Sequence, residues 1–154
     1  MRIETFLQQS LPFEVTRASR SLDRHIARIF QAQDLNFMAA LVLVAAFFEH
    51  PKTITPSQLA ETLGTTRGNV SHCVSSLEAK GFIQRRIDPG DARSFHLLLR
   101  PQGKKHAMQV IRTFDQMQKE FETRLGTAKL TAALDIVKRV EQICSEIAPP
   151  VFST

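Results

Sequence analysis

Apolar positions recur along this chain with periods that change from stretch to stretch, and each period predicts an element. Val15, Ala18, Leu22, Ile26 and Ile29 mark one face of an N-terminal helix, with Arg17, Arg20, Arg24 and Arg28 exposed between them. Phe37 to Phe48 is apolar throughout and is bounded by Asn36 and by Glu49-His50-Pro51. It is too short to span a bilayer and reads as a fully buried helix. Leu59, Ala60 and Leu63 form a short stripe, and Val70, Cys73, Val74 and Leu77 recur at the spacing of one buried helical face. Two β-prone runs follow, Phe82 to Ile87 and Phe95 to Leu99. Beyond Pro101, the residues Ala107, Val110, Phe114, Met117 and Phe121 alternate steps of three and four. After Gly126-Thr127 the rhythm returns at Leu130, Ala133, Val137, Val140, Cys144 and Ile147.

Capping and turn chemistry sharpen the middle of the chain. Thr55-Pro56-Ser57-Gln58 places a hydroxyl at an N-cap, proline at the first helical position and glutamine three residues on, which is a capping box. Ile54 and Leu59 are spaced to close a hydrophobic staple over it. Gly64 ends this helix and Gly81 ends the next, whose N-cap is Thr66. On the face opposite the apolar stripe of this second helix stand Arg67, Asn69, Ser71, His72 and Ser75. These are short or hydrogen-bonding side chains, as a helix lying in a major groove needs. Between the two β-prone runs, Asp88-Pro89-Gly90-Asp91-Ala92-Arg93-Ser94 is a turn cluster with a charged tip, so the runs make a hairpin. A helix, a glycine stop, a second helix and a basic hairpin are the parts of a winged helix-turn-helix, in its order. The expected fold class is therefore mainly α with a small β-hairpin wing.

The two C-terminal stretches carry heptad-like seams that one small wing domain cannot bury, so pairing with a second copy is the economical solution. The alternative is an antiparallel hairpin within one chain. No Gly- or Ser-rich linker interrupts the chain, which is expected to be one domain over 1–154. Helical dimerisation segments then cover 1–34 and 101–154, around a DNA-binding region at 35–100.

Charge is distributed unevenly. Lys52, Arg67, Lys80, Arg85, Arg86, Arg93, Arg100, Lys104 and Lys105 face only Glu61, Glu78, Asp88 and Asp91 in the same stretch, an excess of five, while the rest of the chain balances eleven basic against eleven acidic residues. An excess confined to the predicted helix-turn-helix and wing is the electrostatic footprint of a polyanion. The alternative is a solvated basic surface with no partner. At 154 residues, with no Tyr or Trp beside eleven Phe, the chain lacks stacking platforms for single-stranded bases.

Other chemistries find little support. The five histidines, His25, His50, His72, His96 and His106, show no ligand spacing, so no metal or other cofactor is expected. There is no phosphate-binding glycine loop, nucleophile elbow or acid pair, so an enzyme is not expected. Cys73 and Cys144 form no CxxC and no disulfide framework, which suits a reducing cytoplasm. Cys73 reads as a small packing residue, with a redox switch as the alternative. No signal peptide is evident, since charges flank Ile3 and no long apolar region follows. His25, between Leu22 and Ile29, reads as a core histidine or as part of an effector cavity.

The run Leu-Gly-x-x-x-x-x-Val-Ser at Leu63–Ser71, then Leu-Glu-Ala-Lys-Gly-Phe-Ile at Leu77–Ile83, with Asp91-x-Arg93 and Pro101-x-Gly103 behind it, resembles the multiple antibiotic resistance regulator (MarR) family. Nearly the whole chain is covered by this resemblance. Ala92 stands where an arginine is common, Gly68 where proline is frequent, and Arg100 where a threonine is common, returning a positive charge to the strand end. The resemblance implies a homodimeric bacterial regulator that binds double-stranded operator DNA, represses transcription and is released by a small aromatic or phenolic effector. It implies that Arg93 enters the minor groove from the wing, held by Asp91. Ser57 and Gln58, at a helix N-terminus, are candidate phosphate contacts. Thr65, Thr66, Arg86 and Lys104 complete the candidate DNA-binding set with the helix face named above. Phe13, Arg17, His25 and Phe47 are the candidate effector residues. The rival reading is a winged-helix protein-interaction module that does not bind DNA.

Overall fold

The computed structural model describes residues 2–49, 54–88 and 90–147, with residues 91–95 described as backbone only. Its elements are α1 (Ile3–Gln8), α2 (Leu11–Gln31), α3 (Phe37–Phe48), α4 (Pro56–Thr62), α5 (Arg67–Ala79), β1 (Ile83–Asp88), β2 (Asp91–Leu99), α6 (Pro101–Leu125) and α7 (Thr127–Glu146). They form two compact units, Met1–Val110 and Ile111–Thr154, the boundary falling within α6. The fold is the expected one, mainly helical with a two-stranded wing. His50, Pro51, Lys52 and Pro89, which the sequence places at a helix stop, in the basic stretch and in the hairpin turn, lie outside the described residues.

In the first unit the core is built mostly from the stripes the periodicity marked, together with Phe30, which the stripe read along the N-terminal helix did not include. Phe30, Leu43, Leu59, Val70, Val74, Leu77 and Ile83 are fully buried, with Cys73 among them. Ile54 and Leu59 are both buried beside the α4 cap. Gly64 and Gly81 have φ of 60° and 72°, the left-handed conformation that ends α4 and α5 without a Cβ penalty. Asp34 takes the same region at φ 54° just after α2 and pairs with Lys80, at the end of α5.

Three expectations need correction. A separate α1 precedes α2, because Ser10 caps α2 by accepting from the Phe13 amide (3.4 Å) and Pro12 sits in its first turn. Along α2 only Ile26 and Phe30 are buried. Val15 and Leu22 remain 37% and 42% exposed, and His25 is exposed rather than a core histidine, since α2 packs in this unit chiefly through its C-terminal turns. Similarly, α3 is not fully buried. Ala39, Ala40, Val42, Leu43 and Ala46 face the core, but Phe48 is 66% exposed. Among the described residues no helix is long and apolar enough to cross a membrane.

β1 and β2 pair antiparallel from Ile83↔Leu99 to Ile87↔Phe95, and then the register shifts to Asp88↔Asp91. One step on β1 thus spans four on β2, so Ala92, Arg93 and Ser94 form a bulge near the tip. The expected turn is correspondingly shorter, and β2 begins at Asp91. Behind the wing, α6 approaches the chain at Phe82 closely. The Arg100 amide donates to the Phe82 carbonyl (2.9 Å), and the His106 ring stacks on Phe82 with centroids 4.2 Å apart.

In the second unit Gly126, at φ 82°, separates α6 from α7, as its place in the sequence predicts. No residue of α7 is buried, and Ile136 and Val137 are 59% and 57% exposed. The seam residue Cys144 is exposed as well.

Candidate nucleic-acid interface

The first candidate region is the α4 N-terminus. Thr55 Oγ1 accepts from the Gln58 amide (3.3 Å), while Gln58 Oε1 accepts from the Thr55 backbone N–H (2.9 Å), so the capping box is complete. Ser57 and Gln58 are exposed. The Gln58 carbonyl oxygen is nevertheless committed to the cap, which leaves its amide nitrogen to donate to an anion.

α5 turns its charged and polar residues outward as expected, with qualifications that the hydrogen bonds supply. At about 3.6 residues per turn, Gly68, His72 and Ser75 run along the line opposite the Val70, Cys73, Val74 and Leu77 stripe, with Arg67 and Asn69 flanking it. All five of these outward residues are exposed, whereas Ser71 and Thr65 are half-buried. Thr66 Oγ1 caps the helix through the Asn69 amide (3.2 Å), and the Asn69 side-chain Nδ2 donates to Thr65 Oγ1 (3.0 Å). The Asn69 Nδ2 carries two hydrogens, so the bond to Thr65 engages one donor and leaves a second for a bidentate contact to adenine. Nothing in the fold demands glycine at 68, since a Cβ there would meet only Thr66 Oγ1 at 3.9 Å.

Sequence reasoning counted Arg85 only as a charge. Its backbone N–H donates to Glu78 Oε1 (2.8 Å), its Nε to Glu78 Oε2 (2.6 Å) and its Nη2 to Ser75 Oγ (3.0 Å). Ser75 in turn donates to the Ser71 carbonyl (3.0 Å). The first wing strand is thereby tied to the recognition helix, and the Ser75 hydroxyl is already engaged. Hydrogen bonds from the Arg85 backbone and then from its side chain hold the Glu78 carboxyl below its ordinary value of 4.5. The signal for this tie was present as two opposite charges seven residues apart across Gly81, but spacing alone does not show that the chain folds back between them. Burial pushes the Cys73 thiol up, which disfavours the reactive thiolate and fits the packing role.

In the wing, Asp88 shapes the turn and pairs across the hairpin. Its Oδ1 accepts from the Gly90 amide (2.7 Å), and Oδ2 lies 2.8 Å from His96 Nε2. Arg86 is exposed on β1 opposite His96. Asp91 and Arg93 lie in β2 at the bulged tip. Lys104 is exposed in the first turns of α6. Of the candidate effector residues, Phe13 and Arg17 line one hollow of about 610 Å³, and His25 and Phe47 do not.

A model of the MarR family matches residues 33–94, which contain α3, α4, α5 and the wing tip. The uncharacterized HTH-type transcriptional regulator YdcH of Bacillus subtilis is 29% identical over 132 residues, covering 84% of this chain and 74% of that one. Transcriptional repressor MprA of Escherichia coli is 30% identical over 84 residues, and there the match spans 54% of this chain and only 48% of the relative. The crystal structure of the S. aureus MepR–DNA complex has the same fold, with a TM-score of 0.78 at 18% identity over 87% of this chain and 98% of that one. The capped helix pair, outward-facing recognition helix and hairpin wing all lie within or beside the matched span, and in sequence and fold the chain is similar to the MarR family of winged helix-turn-helix transcriptional regulators.

Proposed function

We propose that this chain binds double-stranded operator DNA as a homodimer, represses transcription and releases its operator when a small effector binds. The observation that carries the reading is α5, whose buried face anchors it in the core while Arg67, Asn69, His72 and Ser75 stand outward beside a basic wing. In the complex, α5 lies in the major groove, reading base edges, and Arg93 reaches the minor groove from the bulged tip. Ser57, Gln58, Arg86 and Lys104 contact phosphates, which position the protein without reading sequence. The exposed apolar residues of α7 support pairing with a second copy, since a helix with this much exposed Ile, Leu and Val needs cover. Two free thiols are compatible with a reducing cytoplasm.

Duplex titration by fluorescence anisotropy across a salt series tests the DNA reading. Affinity for an operator from DNA selected by the protein should fall steeply with salt, log K declining by about 0.9 per phosphate neutralised. Absence of duplex binding, or binding indifferent to salt, would favour the protein-interaction module. Sedimentation of the free protein at micromolar concentration should give a dimer, and a stable monomer that still binds operator would remove the homodimer from the proposal.

A further inference from the structure

One side of α2 carries arginines that neither the core nor the recognition helix uses. Phe13, Arg17, Arg20 and Arg24 fall within about 60° of one another around the helix, away from the buried Ile26 and Phe30. Together with Ser10, Pro12 and Thr16 they line the hollow of about 610 Å³. Arg17 is paired with Glu14 (2.5 Å), whereas no ion pair engages Arg20 or Arg24 among the described residues. The hollow begins at the capped N-terminus of α2, whose dipole adds to the positive field. Phe13, half-buried, gives it an apolar wall.

Charge and shape together select the ligand. Three guanidinium groups against one carboxylate leave an excess of two positive charges, which a monoanion neutralises only in part. Guanidinium forks match tetrahedral oxyanions bidentately, and a phosphate monoester carries about −1.5 to −2 at neutral pH. We propose that this hollow binds a small organic phosphate monoester, with the phosphate on Arg20 and Arg24 and an apolar ring or chain against Phe13. The proposal rests on the reading that the protein answers to a small effector, and it names the chemistry of that effector.

Calorimetric titration of phenyl phosphate into the DNA-free full chain tests it. Phenyl phosphate should bind at least tenfold more tightly than inorganic phosphate or phenol. The double substitution Arg20→Gln/Arg24→Gln, at exposed positions, should weaken that binding at least tenfold while leaving Tm unchanged without ligand. Equal affinity for phenyl phosphate and inorganic phosphate would mean an adventitious anion site and overturn the proposal, as would binding untouched by the double substitution. Loss of affinity for random duplex DNA in the double variant, with no phenyl phosphate binding in the parent, would make the ridge a DNA-backbone contact and also overturn it. Because the ligand is titrated without DNA, its failure leaves the effector reading standing. That reading fails separately, if no small molecule releases the operator.

Discussion

Replacing Gly103 by alanine sets two effects of opposite sign against each other. A Cβ at this position would lie 1.9 Å from the Phe82 carbonyl oxygen, 2.7 Å from the Phe82 carbonyl carbon and 3.1 Å from Leu99 Cδ1. The first two are backbone atoms and cannot rotate aside, so α6 must withdraw by about 1.5 Å to restore ordinary contact. Withdrawal stretches the Arg100–Phe82 hydrogen bond, worth about 1 kcal/mol. It also parts the His106 and Phe82 rings, at about 1 kcal/mol, and loosens buried Ala107 and Val110, at roughly 1–2 kcal/mol. Against this, alanine is a better helix former than glycine by about 1 kcal/mol. The net expectation is a loss of about 2–3 kcal/mol, or a Tm lowered by roughly 4–12 °C at fixed protein concentration. Circular dichroism melts of Gly103→Ala beside Gly68→Ala, where the Cβ would make only an ordinary contact with Thr66 Oγ1 at 3.9 Å, provide the measurement. If Gly103→Ala melts at or above the parent temperature, helix propensity has won and the close approach is not a constraint.

Three further outcomes follow from the interface. Arg85→Met should destabilise by about 1 kcal/mol at pH 7, a modest figure because the Arg85 and Glu78 side chains are 36% and 33% exposed. Glu78 has a depressed pKa, so its contribution is present above 4.5 and is lost as pH falls through the folded value; urea titrations differing equally at pH 7 and pH 3 would contradict this assignment. His72→Ala should cost roughly 1–3 kcal/mol on operator and little on random duplex, whereas Lys104→Ala should weaken both alike; competition binding that finds equal losses for His72 would reassign it to the DNA backbone. Arg93→Ala should lower duplex affinity at least tenfold and flatten the salt dependence with Tm nearly unchanged, and an unaltered salt slope would remove Arg93 from the minor groove.

Local chemistry made the helix boundaries legible. The Thr55 capping box, the Thr66 cap and the left-handed glycines at 64, 81 and 126 are decided within a few residues, and each falls where the sequence predicts. What depends on neighbours was harder to read. An apolar run such as Phe37–Phe48 does not reveal how much of its surface finds a partner within one chain, and the same holds for the stripe along α2. The break before α2 is written in Ser10 and Pro12, whose capping acts locally and leaves no mark on the periodicity from Val15 onward. In the interface, residue type identified the outward side chains but could not show which were already engaged. Asn69, Ser75 and Gln58 all have internal partners, set by rotamers and by the fold of the wing onto α5.

The tie from Arg85 to Glu78 and Ser75 has a consequence for regulation. It joins a wing strand to the recognition helix by three hydrogen bonds, reinforced by the Phe82 amide on the Leu77 carbonyl. On the proposed reading, helix and hairpin of one subunit then approach DNA as a single rigid reader, with the interval between major-groove and minor-groove contacts fixed. An effector gains little leverage by deforming that reader. If the chain pairs and answers to an effector as proposed, the inexpensive variable is the separation of the two readers relative to one helical repeat of B-DNA, about 34 Å, and release of the operator would then be a matter of spacing rather than of altered recognition chemistry.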